Sequence, residues 1–209
     1  IEARNSMNGI ERTNTTVNIP VIFHVLYNDT SDNISKELIG AQFDQINLDF
    51  SNTNSDGSKV PQVPNPSDAP YDPNIDYSHA SVRGSHDVRF FGANGEQNGN
   101  DLIENVSIIR YNISTGSVSG LSQAASLVNS TQADNGATGG FQSGYMNIYI
   151  APLSGGLLGQ ATLGGTTHCV VLTESVGSVD TPGSAAPYDL GRTLTHELGH
   201  NFSYNHIFN

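Results

Sequence analysis

The chain has 209 residues, 36% of them hydrophobic and only 13% charged, which suits one domain with a sizeable core. Eight Lys and Arg against 20 Asp and Glu give a net charge of −12, a surface that repels nucleic acid and anionic membranes and so excludes both as partners. The sequence has no run of about 20 apolar residues and so no membrane-spanning helix, and its polar positions are Asn, Ser, Thr and Gly in the style of secreted proteins.

In chain order, residues 1–18 read as an N-terminal extension with a mature or processed start, and residues 19–209 as one domain. Residues 19–27 are β-branched, aromatic and apolar on both faces, which predicts a central sheet strand with His24 as a hydrogen-bonded core histidine. Ser35 is placed to cap a helix reaching about Phe50, because Leu38, Ile39, Phe43, Ile46 and Phe50 recur at helical spacing. Residues 52–77 carry no periodicity. Their opening, Asn52 to Gly57, imitates an EF-hand loop, but Val63 stands where a bidentate Glu is required, so a turn is the better reading. Further strands are predicted at 88–91, 106–111, 146–151 and 169–172, with a Gly-rich loop over 154–159. Asp189 is expected to cap a second long helix that begins near Leu190. The fold class is therefore α/β, a twisted mixed sheet with two long helices.

That last helix carries the densest chemistry in the chain. Residues 196–206 read H-E-x-x-H-x-x-x-x-x-H, and they contain three of only seven histidines. On a helix His196 and His200 are one turn apart, roughly 6 Å along the axis, so both imidazoles leave the same face. This spacing matches the bite of a tetrahedral Zn²⁺. Glu197 follows the first ligand directly and is set beside the metal, where it can take a proton from a zinc-bound water as general base and return it as general acid. His206 would lie roughly 9 Å further along a straight helix. The helix must therefore stop near Ser203 and the chain turn back, with a left-handed residue in the turn. Three histidines leave the fourth position open, the arrangement of a catalytic site.

With the strand at Pro20–Tyr27 (residues 20–27), the helix from Asn33-Ile34-Ser35 to Asn47-Leu48-Asp49-Phe50, the run Met146-Asn147-Ile148-Tyr149-Ile150, the loop Gly155-Gly156-Leu157-Leu158-Gly159 and the lead-in Ala186 to Thr195, the chain resembles the pappalysin (cytophagalysin) family of metzincin zinc metallopeptidases over roughly residues 19–206. The resemblance implies a secreted endopeptidase made as a zymogen, with one catalytic Zn²⁺ on His196, His200 and His206, Glu197 as the catalytic residue, and Ca²⁺ as a further cofactor. It implies a metzincin-like catalytic domain whose upper subdomain runs through the active-site helix. It also implies that protein or peptide substrates add to an edge strand at Ile148, Tyr149 and Ile150, held by backbone hydrogen bonds. The family's Met-turn follows the third histidine, whereas Met7 and Met146, the methionines of this chain, both precede it. A C-terminal segment or second chain is therefore expected to complete the lower subdomain, and the single Cys169 is expected to pair with a cysteine outside this sequence.

No G-x-S-x-G motif is present and Cys169 lacks an activating context, which disfavours serine and cysteine catalysis. The alternative from another class is an inactive zinc-bearing binding or adhesion module. Glu197 speaks against it, because a structural metal has no use for a base.

Overall fold

The computed structural model describes residues 16–55 and 88–206. Strands β1 (Val17–Tyr27), β2 (Val88–Gly92), β3 (Ile108–Asn112), β4 (Met146–Ala151), β5 (Gly159–Ala161) and β6 (His168–Leu172) form one sheet. Helices α1 (Lys36–Ser51), α2 (Leu121–Ser130) and α3 (Arg192–Asn201) complete the frame. The sheet order is β2-β1-β4-β6-β5, with β3 also on β1, and all pairings are parallel except β5 on β6.

Both sheet faces are covered, which is why the central strands read as unbroken apolar runs. Val21, Phe23 and Val25 of β1 share one face with Ile148, Ile150, Cys169 and Val171, and this face packs against α1 and α3. Ile22 and Leu26 share the other with Tyr149 and Val170 against α2. His24 would be an unpaired polar group in that second layer, but both its nitrogens are bonded, to the Tyr111 hydroxyl and to Asn147 Oδ1, each at 3.0 Å. Asn147 Oδ1 also accepts the Gln142 N–H, so it faces His24 as an acceptor and Nε2 carries the proton. Burial lowers the His24 pKa to about 4, so the ring is neutral near pH 7.

Helix α1 begins as expected: Ser35 is extended and its side chain accepts the Leu38 N–H. Its buried side also holds the polar residues Gln42 and Gln45. Gln42 donates to Gly191 O at 3.0 Å and accepts from Gly177 N–H, and Gln45 accepts from Val179 N–H. One turn on, Asp49 accepts from Thr195 Oγ1 at 2.6 Å and pairs with Arg192. These bonds anchor the start of α3 and the loop before it to α1.

Several expectations are corrected. Both expected helices are present, and a third α-helix among the described residues, α2, is not among those expected; it buries only Leu121, Ala124 and Val128, a stripe too slight to stand out in a polar segment. The boundary drawn at residue 18 falls inside β1, which starts at Val17. Helix α3 starts at Arg192 after Gly191, with no side-chain cap bond. Asp189 instead serves the preceding loop through its carbonyl, which accepts the Gly183 N–H. Cys169, on β6, is a free thiol with no exposed surface, packed beside β4 and under α3, so it is not placed to bond another segment; burial pushes its pKa well above the usual thiol range. The EF-hand-like stretch runs from residue 52 into 56–63, which lie outside the described residues, as does most of the N-terminal extension.

Candidate active site

Helix α3 is held at both ends. At its start Gly191 has φ +76, and a side chain there would meet Gly177 O at 2.3 Å. Only glycine lets the loop approach this closely with a left-handed backbone. At the other end the Ser203 N–H donates to His200 O at 2.9 Å and the Tyr204 N–H to Gly199 O at 3.0 Å. This is the Schellman pattern, with Ser203 at φ +72 in the position where glycine is usual. The left-handed turn expected at Ser203 is thus present, at a cost on the order of 1 kcal/mol for the non-glycine residue.

The turn swings the chain back and brings His206 to the two helical histidines. The Nε2 atoms of His196, His200 and His206 form a triangle with each side 3.0 Å. Three converging lone pairs cannot all be satisfied by one another, but a single cation satisfies them together. Ligands about 2.0–2.1 Å from one tetrahedral zinc stand roughly 3.3 Å apart, so the triangle fits such an ion. His200 Nδ1 lies 2.7 Å from Tyr204 O. A carbonyl can only accept, so Nδ1 carries the proton and Nε2 turns its lone pair toward the centre. Burial, then His200 and His206, lowers the His196 pKa, which favours the neutral ring that binds metal.

Glu197 lies beside this triangle and is buried, at 7% exposure. Burial pushes its carboxyl up to about 7, while His200 and a backbone hydrogen bond from Ala161 pull the other way. Both neighbours of the carboxylate are informative. Ala161 belongs to β5, and a Cβ on Gly159 of the same strand would sit 2.8 Å from Glu197 Oε1. A bare backbone therefore passes over the carboxylate. Gln160, between them, turns the other way and accepts the Leu121 N–H at the start of α2.

A cavity of about 670 Å³ opens over these groups, bounded by the 156–161 segment, Pro187, Tyr188 and Leu190, and by all three histidines and Glu197. It is a cleft with an apolar wall, a strand edge on one side and one titratable cluster on its floor, the usual form of a small-molecule or peptide site.

The expected substrate strand is not in this cleft. Ile148, Tyr149 and Ile150 belong to β4, which pairs with β1 on one side and β6 on the other, and all three have no exposed surface. Their backbone groups are already bonded, so no peptide can add there. The strand with a free edge at the cleft is β5. Its three residues, Gly-Gln-Ala, are too few to show alternation, and Gly159 belongs by its neighbours to the Gly-rich run 154–159. Asn201, which with Phe202 and Ser203 matches the N-x-S/T glycosylation pattern, is buried, at 5% exposure, and bonded to Thr166 and His168.

No protein-family model matches the chain. An extracellular metalloprotease of Arthroderma otae is 41% identical over 81 residues, 34% of this chain and 27% of that protein. Extracellular metalloprotease 1 of Coccidioides posadasii is 42% identical over 73 residues, 30% of this chain and 25% of that protein. Among solved structures, Tannerella forsythia mature mirolysin in complex with a cleaved peptide superposes with a TM-score of 0.62 and 29% identity, covering 89% of this chain and 63% of that one. A promirolysin mutant from the same organism is 28% identical, with a TM-score of 0.61. The chain thus spans about a quarter of the matched curated relatives and under two thirds of mirolysin. The mixed α/β fold of this chain is the fold of mirolysin across most of its length.

Proposed function

We propose that the chain is the zinc-binding and catalytic part of a secreted endopeptidase that hydrolyses protein or peptide substrates. The single observation that carries this reading is the histidine triangle with a buried carboxylate beside it and a free strand edge above it. The names of the relatives support a metal-dependent protease outside the cell, and no helix among the described residues is long and apolar enough to cross a membrane.

His196, His200 and His206 would hold Zn²⁺, which supplies Lewis acidity toward the scissile carbonyl. An extended substrate adds to the β5 edge, where main-chain hydrogen bonds hold it regardless of sequence. Glu197, in the floor below that edge, takes a proton from the attacking water and hands it to the leaving amine. A carboxyl shielded from bulk water holds a proton more readily than a free one, which suits this two-way role. The proposal includes a further segment or second chain over the exposed imidazoles of His196 and His206. Calcium stays with the resemblance alone: the three histidines are the one metal-type cluster among the described residues.

Glu197→Ala tests the reading. The variant should keep stoichiometric zinc and lose casein or gelatin hydrolysis by several orders of magnitude. Hydrolysis at the wild-type rate would refute the mechanism. Zinc bound by wild-type protein with no turnover on any protein substrate would favour the inactive binding module instead.

A further inference from the structure

Asn201 follows the second histidine directly but touches neither the histidine triangle nor the cleft. Its side chain is buried, and Nδ2 donates to Thr166 Oγ1 at 2.7 Å and to His168 O at 3.1 Å. The second acceptor is a carbonyl, which fixes the amide orientation: Nδ2 faces the loop between β5 and β6. Oδ1 is consequently turned into the interior and has no partner among the described residues. A buried amide with an orphaned oxygen is a poor choice for packing alone, since an apolar residue of similar size would avoid the desolvation. Its presence points to what the Nδ2 end does.

That end is part of a clasp. The same loop donates Gly164 N–H to His200 O at 2.8 Å and Gly165 N–H to Asn201 O at 3.3 Å. The loop that continues the edge strand thereby adds a second donor to His200 O, which the Ser203 N–H already reaches, and caps Asn201 O at the end of α3. A Cβ on Gly164, at φ +71, would meet Ser203 Oγ at 2.8 Å, so the loop also lies against the turn that returns His206. The edge strand and the histidine triangle are therefore joined through one set of contacts.

We infer that Asn201 is a positioning residue that locks the β5–β6 loop to the end of α3 and so holds His200 and His206 in register with the substrate edge. The inference rests on the peptidase reading above. It acts through its neighbours, as groups behind metal ligands do, and losing such a group weakens metal binding about 10–100-fold.

The experiment compares Asn201→Ala, Thr166→Val and Thr166→Ser with wild type in the full protein. Zinc affinity is read by competition with a chromogenic chelator, kcat and KM on a peptide at saturating zinc, and thermal stability separately. Asn201→Ala should weaken zinc binding 10–100-fold and lower kcat more than it changes KM. Thr166→Val, on the loop and remote from the ligands in sequence, should move the same quantities in the same direction by less. Thr166→Ser, which keeps the acceptor oxygen, should restore them. If Asn201→Ala does not fold, Thr166→Val against Thr166→Ser decides. Unchanged zinc affinity and kcat, with or without a lower melting temperature, would overturn the inference. A wild-type protein that neither binds zinc nor cleaves peptide would instead remove the reading beneath it.

Discussion

Strands β4 and β5 lie two places apart in one sheet and are built on opposite terms. β4 is six residues buried on both faces and paired along both edges, and its job is to carry the core. β5 is three residues, half-exposed, with one edge free and a glycine where the Glu197 carboxylate passes beneath. The difference teaches that the strength of a sequence signal follows how much apolar surface a segment buries. The backbone that can meet a substrate must be left unpaired, and so it leaves a weak signal.

Substitutions can break this contrast, and the largest effect belongs to β4. Ile148→Ala should cost about 2–5 kcal/mol of stability, through lost transfer energy and a cavity, and show as a lower urea midpoint with KM unchanged in the folded fraction. A selective rise in KM at unchanged stability would return β4 to the substrate site.

Acid should act on the same interior. His24 is neutral in the fold with a pKa near 4, against 6.5 when free, so the unfolded chain binds the extra proton first. The stability from this site is complete above about pH 6.5 and is lost as pH falls toward 4, by about 3 kcal/mol in all. Urea melts across that range should show the loss for wild type and a much flatter profile for His24→Gln. Parallel profiles would mean that the buried network of His24, Tyr111 and Asn147 is not what titrates.

The edge strand should answer in the opposite currency. Gly159→Ala places a methyl against Glu197, and displacing a catalytic group by about 1 Å costs on the order of 10²-fold in kcat. Its melting temperature should stay close to that of wild type. Full activity would show that β5 does not pass over the working carboxylate.

The legible parts of the chain were those with local cause. The cap at Ser35, the strand at β4, the convergence of the α3 histidines and the left-handed turn at Ser203 each follow from a few neighbouring residues. What was missed depends on distant partners. Nothing near Gly159 says that Glu197 lies under it, and nothing near Cys169 says that α3 seals it from any disulfide. Strand order is of the same kind: Met146–Ala151 looks like a strand from its own residues, but its central place depends on β1 and β6 closing on either side. The start of α3 shifted for a similar reason, since Gly191 is required by Gly177 and Gln42 across the fold, whereas Asp189 suits a cap only by type.

The most direct test of the hydrolytic centre is a zinc titration of chelator-stripped full-length protein, following casein hydrolysis and bound metal together. Hydrolysis should be negligible without metal and rise linearly to an end at one zinc per chain, with His206→Ala failing to recover at the same zinc concentration. Hydrolysis at the full rate in the stripped protein would contradict the zinc mechanism, because the three imidazoles would then have no part in the chemistry.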